Sequence, residues 1–269
     1  MTAFAHHLLF EFRAGLRDKT QLLMNYLFPL MFYAMMGVLM GQINPWFKTV
    51  MIPSMVIFSI LASTTLGLPG PMVAAREAGI YRSYKVNGVP AITLLIIPVL
   101  TAILSVSIVT AIIALTAPLL FDGQAPTDWP GFILVFLAAN IASAGLGALI
   151  GVVATDARST VLLPQLIFLP SMLLGGLMMP ASLLPGALAR ISRLLPAMNA
   201  TNAFAGLAMG GEVTYSPWGA VIVLLAGGVV AFLLATFLFT WDSRDQGRRG
   251  RRIWALLALV PYLVGMFVL

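Results

Sequence analysis

Residues 91–120 read AITLLIIPVLTAILSVSIVTAIIALTAPLL, thirty consecutive positions without Asp, Glu, Lys, Arg or His. A bilayer's hydrocarbon core is about 30 Å thick and an α-helix rises about 1.5 Å per residue, so about 20 apolar residues cross it. A helix also satisfies every backbone N–H and C=O inside its own segment, which lipid demands. Five further stretches of this kind fall at 22–41, 50–74, 131–154, 161–180 and 218–240, and none of them holds Asp, Glu, Lys, Arg or His. Of the 269 residues, 60% are hydrophobic and 9% charged, against roughly 25% charged in an ordinary soluble domain. A water-facing surface needs more polar side chains than that, so a soluble globule is excluded. The expected fold is an all-α polytopic membrane protein with six transmembrane helices.

The net charge of +6 is read by position, because basic residues mark cytoplasmic loops in membrane proteins. With the N-terminus placed in the cytoplasm, twelve bases fall inside: Arg13, Arg17, Lys19, Arg76, Arg82, Lys85, Arg158, Arg244, Arg248, Arg249, Arg251 and Arg252. Three fall outside, Lys48, Arg190 and Arg193. The bias is spread over several loops, which fixes the expected topology in the cell (plasma or inner) membrane. Residues 1–21 are too short and too charged to span. In them Phe4, Leu8, Phe12 and Leu16 recur every four residues while Arg13 and Arg17 fall on other faces. This is the pattern of an amphipathic helix in the cytoplasmic interface, its bases near lipid head groups; a helix packed on a soluble partner is the alternative.

Several chemistries are excluded. The chain has no cysteine, and its two histidines, His6 and His7, are adjacent and outside the apolar runs, so no intramembrane haem or H-E-x-x-H zinc site can be built. The pair is read as lying at the membrane surface. The phosphate-binding pattern G-x-x-x-x-G-K-[ST] requires a lysine after glycine. The three lysines, Lys19, Lys48 and Lys85, follow Asp18, Phe47 and Tyr84 instead. Ion-coupled carriers place costly acids or bases at membrane depth, and here the polar groups at depth are neutral. They are Asn25, Ser105, Ser107, Thr110, Asn140, Ser143, Gln165 and Ser171, with Gly145, Gly147 and Gly151 among the small residues. They serve interhelical hydrogen bonding and close packing, or contact substrate.

Two polar or broken segments stand out. Loop 75–90 holds Arg76, Glu77, Gly79, Tyr81, Arg82, Tyr84 and Lys85 and ends at Gly88 and Pro90. A short helix here would set Glu77, Ile80, Tyr81 and Tyr84 on one side as a knob for a cytoplasmic groove; an ordinary basic loop is the other reading. Region 181–217 is too apolar for a free loop and too short to cross twice, which fits broken helices dipping into the outer leaflet. Leu188, Ile191 and Leu195 stand there opposite Arg190 and Arg193, and Asn199, Thr201 and Asn202 sit where a cavity would open. Asn25, Asn140, Gln165, Asn199 and Asn202 are the candidate pathway-lining residues.

Four features in order, over nearly all of residues 1–250, resemble the permease subunit of an ABC exporter, the type-2 ABC transporter permease family of drug, lipid and polysaccharide exporters. They are the amphipathic helix, the Arg76-Glu77-x-Gly79 start, the Gly176-x-x-x-Pro180 pattern with Leu184-Pro185, and Leu194-Leu195-Pro196. The resemblance implies that 75–90 is a coupling helix seated in an ABC ATPase. Two ATPase subunits would carry ATP and Mg, a second permease chain, identical or paralogous, would complete the path, and this chain would hold no cofactor and bind no nucleic acid. Glu77 would meet basic ATPase residues, while Arg76 and Arg82 contact the ATPase or hold the loop near lipid phosphates. The function implied is export of a hydrophobic or amphipathic substrate such as a drug, lipid or glycolipid; a non-transporting membrane anchor or assembly subunit is the alternative. Residues 241–269 depart from six-span relatives: a basic linker leads into an apolar run at 253–269, expected as a seventh span rather than an in-plane or re-entrant segment.

Overall fold

The computed structural model describes residues 3–179, 183–242 and 246–269. Of the features named above, Pro180, the first residues of 181–217, Arg244 and the side chains of Arg248, Arg249 and Arg251 lie outside the described residues. The described chain is helical, with no strand among these residues. Helix α1 (Ala3–Gly15) is followed by two long helices, α2 (Lys19–Ile43) and α3 (Pro45–Glu77). Then come α4 (Ile80–Val86), α5 (Ala91–Phe121), α6 (Trp129–Val153) and α7 (Ala157–Leu174). Helices α8 (Gly186–Ser192) and α9 (Pro196–Leu207) precede α10 (Pro217–Leu238), and a 3₁₀ run at Gln246–Leu259 leads into α11 (Val260–Val268). Six helices, α2, α3, α5, α6, α7 and α10, are long and apolar enough to cross a membrane.

The connections gather at two ends. At one, Lys48 pairs with Asp122 at 3.1 Å, Gln124 N–H donates to the Lys48 carbonyl, and Thr127 N–H donates to the Ala208 carbonyl. At the other, Arg76 reaches the end of α6, and Arg82 pairs with Asp242 after α10. Asn44 alone separates α2 from α3, its side chain accepting from Trp46 N–H at 3.1 Å, so the second span starts at Pro45, earlier than the expected 50. The fifth span stops at Leu174, short of 180, because Gly175 caps it and Gly176 takes a left-handed φ of 76°. Asp156 caps α7 in a reciprocal box with Ser159; hydrogen bonds from the Thr155 hydroxyl and the Ser159 N–H hold its carboxyl below the usual range.

Spans α3 and α6 are the most covered, and α2 and α7 the least. The central contact is between α6 and α10. Gly145 of α6 meets Gly228 of α10, which also meets Ile141 and Ala142, and a Cβ built on either glycine would strike the other helix's backbone. Small residues let helix backbones approach in lipid, where dispersion and not water exclusion drives association. Helix α9 wedges Ala197, Ala200, Ala203 and Phe204 into the core against α6 and α10, so the 181–217 region enters the body of the protein.

The closing segment lies along α10 and runs antiparallel to it. Tyr262 fills the hollow at Gly227, Gly265 meets Val223, and Leu269 covers Gly219 at the start of α10. Residues 252–268 as an α-helix would be about 25 Å long, short of a bilayer core. With 252–259 wound as 3₁₀ at about 2.0 Å per residue, the same chain reaches about 30 Å. The winding also sets the packing: Arg252, Ala255 and Ala258, three apart, turn toward the body, and Tyr262, Gly265 and Leu269 continue the line.

Gly228→Leu is expected to lower the thermal midpoint of the detergent-solubilised chain by an overpacking cost of about 1–3 kcal/mol. Gly41→Ala, where a Cβ meets nothing within 4 Å, should not lower it. A Cβ at Gly265 would lie 3.6 Å from that of Val223, within disulfide range. A Val223→Cys/Gly265→Cys chain is therefore expected to crosslink internally on mild oxidation, and failure to do so would show the closing segment elsewhere.

Candidate functional site

At the α4 end, two helices depart from α geometry at facing positions. Leu23–Leu27 in α2 and Leu61–Leu66 in α3 are π-helical turns. The sequence supplies the cause, since Pro29 has no N–H for the Asn25 carbonyl and Pro69 none for that of Thr65. Hydroxyls add to it, with Thr64 Oγ1 donating back to the Ile60 carbonyl at 2.6 Å and Ser59 Oγ to that of Met55 at 2.7 Å. The two turns meet where Ser63 Oγ donates to Asn25 Oδ1 at 2.8 Å, both residues buried. Such π turns recur at functional sites. Here they wall a cavity of about 440 Å³ that opens toward α1 and α4, its mouth formed by His7, Glu11, Tyr81 and Tyr84.

Helix α4 is held by its inner face. Gly79, at φ 74°, ends the α3 direction and starts α4 on a new axis. Tyr81 is buried against Phe239 at 5.4 Å, Arg82 pairs with Asp242, and the Lys85 ammonium lies over the Trp241 ring at 5.9 Å. Tyr84 stacks on His7 at 5.5 Å, and His7 lies 3.7 Å from Glu11. Burial raises the phenol pKa of both tyrosines, with Glu11 adding to the rise, so they stay neutral donors. The expected shared face of Glu77, Ile80, Tyr81 and Tyr84 is not formed: Glu77 belongs to α3, and the turn at Gly79 breaks the periodicity. Glu77, Ile80, Arg82, Ser83, Lys85 and Val86 are the exposed residues.

Arg76 departs from the expectation that it faces lipid phosphates. It is 5% exposed, and its guanidinium donates to the carbonyls of Gly151 at 3.5 Å, Val152 at 2.9 Å and Ala154. These carbonyls end α6 without intrahelical donors, and the negative end of the helix dipole favours the cation. Helix α1 places Leu8 and Phe12 half-buried on the side that meets α5, with Gly15 buried, while Phe4, Arg13, Leu16 and Arg17 are exposed.

Of the candidate pathway residues, Asn25 lines the cavity. Asn140 is fully buried, its amide donating to the Phe136 carbonyl at 2.9 Å, so it packs within α6. Gln165 is half-buried on α7 and lines neither large cavity. Asn199 donates to the carbonyls of Arg193 and Leu195 and accepts from Tyr215 Oη at 3.2 Å. Asn202 donates to the Tyr215 carbonyl and accepts from Thr214, pinning the 208–216 loop. Asn202 and Thr201 also line a second cavity of about 580 Å³ at the opposite end, with Trp46, Pro53 and Glu212. Between the two cavities Phe58 packs on Phe28 at 5.3 Å, Phe32 at 4.0 Å and Phe168 at 5.8 Å, closing the interior.

Sequence reasoning missed His7, Glu11, Ser63 and Thr101 as cavity residues, and Phe239, Trp241 and Asp242 as the seat of α4. The hydroxyl run Ser63-Thr64-Thr65 ahead of Pro69 and Pro71 is the visible signal for the first group. The second group carries no local signal.

Compared with known families, residues 3–209 match the family model described as ABC-2 type transporter. No curated protein matches the chain.

Arg76→Met keeps the apolar stem and removes the donors from the α6 carbonyls. It is expected to destabilise the solubilised chain by about 2 kcal/mol, the loss of charge-assisted hydrogen bonds less the desolvation relieved. Thermal unfolding measures it, and an unchanged midpoint would mean water already satisfies those carbonyls.

Proposed function

Because the chain belongs to the ABC-2 type transporter family, a family of membrane subunits and not of ATPases, we propose that it is the permease of an ATP-driven exporter, moving a hydrophobic or amphipathic substrate. Two ABC ATPase subunits supply ATP and Mg, and a second permease chain, identical or paralogous, completes the path. The observation that carries this reading is α4, where Ile80, Ser83 and Val86 stand exposed beside Glu77 at the end of α3 while Tyr81, Arg82 and Lys85 root the helix in the body. A seven-residue helix is unstable alone, so its position is set by what it is tied to. Pressure on its outer face is passed through Tyr81 and Arg82 to the end of α10, and through Tyr84 to α1.

The two cavities at opposite ends, with Phe28, Phe32, Phe58 and Phe168 between them, fit a conduit that opens to one side at a time. Two packings of the aromatic set, biased by the state of the ATPases, are all that alternation requires. The lightly covered spans α2 and α7 expose Met31, Leu39, Leu166 and Leu173, an apolar face for a second chain or lipid. The bases at the α4 end support a cytoplasmic side for that end and for the N-terminus in a cell membrane, and on this reading Glu77 faces the ATPases.

Glu77→Arg is expected to abolish co-purification of the ATPase and nucleotide-driven transport in vesicles, with the permease still eluting as a folded species. An intact complex with an unchanged transport rate would refute the coupling role. The chain purified alone should hydrolyse no ATP.

A further inference from the structure

The cavity between the π turns has an electrostatic character opposite to that of its end of the protein. Around it the chain carries Arg13, Arg17, Lys19, Arg76, Arg82, Lys85 and Arg158, yet among the described residues no Lys or Arg lines it. Among those residues Glu11 is the one carboxylate in its wall, and His7 lies 3.7 Å from it. Arg76, whose charge also reaches Tyr81, is hydrogen-bonded to the carbonyls at the end of α6 and does not line the cavity. The phenol rings of Tyr81 and Tyr84 flank the carboxylate, and electron-rich ring faces attract cations, organic ammonium groups included. Deeper in, Met24, Leu66, Leu68, Leu94 and Ile97 supply apolar walls, and at about 440 Å³ the volume suits one small ligand.

The wall is polar in places. Thr101 is 8% exposed and lines the cavity, and among the described residues its hydroxyl Oγ1 has no hydrogen-bond partner. The Asn25–Ser63 pair adds polar atoms at the same depth.

We propose that this cavity binds a lipophilic cation, its positive head held at the mouth by Glu11 and the faces of Tyr81 and Tyr84, its apolar body lying between the two π turns. A base or a neutral group in place of Glu11 would leave that head unpaired. Anionic amphiphiles are disfavoured by the same carboxylate, which among the described lining residues only His7 faces as a base. That the bound cation is cargo rests on the permease reading; the binding itself does not.

The test is equilibrium dialysis of the whole chain in neutral detergent against labelled tetraphenylphosphonium and against tetraphenylborate, a matched pair of compact organic ions of opposite charge. Tetraphenylphosphonium is expected to bind saturably at one site, and tetraphenylborate not to. Glu11→Gln should weaken the phosphonium about tenfold, and Glu11→Lys should abolish it and favour the borate, with size-exclusion profiles unchanged. Equal phosphonium binding by the wild type and Glu11→Gln, or borate binding as tight as phosphonium, would overturn the proposal. Phosphonium bound by the chain but not moved by the ATPase-loaded complex would sink the permease reading's cargo and leave the site standing.

Discussion

The touching backbones of α6 and α10 at Gly145 and Gly228 are the constraint from which the rest of the architecture follows. In lipid the apolar surface of a helix gains little by leaving its solvent, so helices associate where they can come close enough for dense packing. Helix α6 can do so on two sides, because Gly147 admits the π turn of α3 at the Thr64 carbonyl while Gly145 admits α10. The central layer is thus α3, α6 and α10, and the remaining spans lean against it. Helix α10 in turn offers Gly219 and Gly227 to the closing segment, and its last turn leads to Phe239, Trp241 and Asp242, on which α4 sits.

The same layer explains why charge appears where it does. A cation in the bundle is costly unless it meets several acceptors, and the end of α6 supplies three carbonyls that no N–H in the helix can reach. Arg76 therefore binds α3 to α6 as a cap between helices, and it holds in place the segment that leads into α4. Lys48 and Asp122 make a weaker, exposed counterpart at the opposite end. Between these two levels the described spans pack through Ala and Gly, Met and branched aliphatic side chains and aromatic rings, with hydroxyls returned to their own helix carbonyls at Ser59, Thr64, Ser105 and Thr116.

The six spans were legible in the sequence because length and hydropathy decide them almost alone, and their errors have local causes. Asn44 caps a helix in one residue, so α3 starts early, and Gly176 turns the chain before the apolar run ends, so α7 stops early. The site was less legible because it is made by partners far apart in sequence. Arg76 reads as a surface base until α6 presents its carbonyls 75 and more residues away. Tyr81 and Tyr84 read as an exposed pair until Gly79 rotates α4, turning Tyr81 to Phe239 and Tyr84 to His7. The closing segment reads as marginal in length because counting assumes an α rise, and the 3₁₀ winding changes the rise itself.

Helix α4 has the properties of a lever rather than of a binding loop. Seven residues cannot sustain a helix, so its geometry is imposed by its two attachments, one to the chain leaving α10 and one to α1. Gly79 uncouples it from the axis of α3, while Arg76, three residues before, fixes the base of α3 to α6. A displacement of α4 is therefore not absorbed by α3; it reaches α10 through Phe239 and Asp242, and α1 through His7. Helix α1 carries Glu11 and His7, which form the cavity mouth together with Tyr81 and Tyr84 of α4. A shift of α4 against α1 would change the shape of that mouth, so α4 and the entrance to the cavity belong to one packed unit.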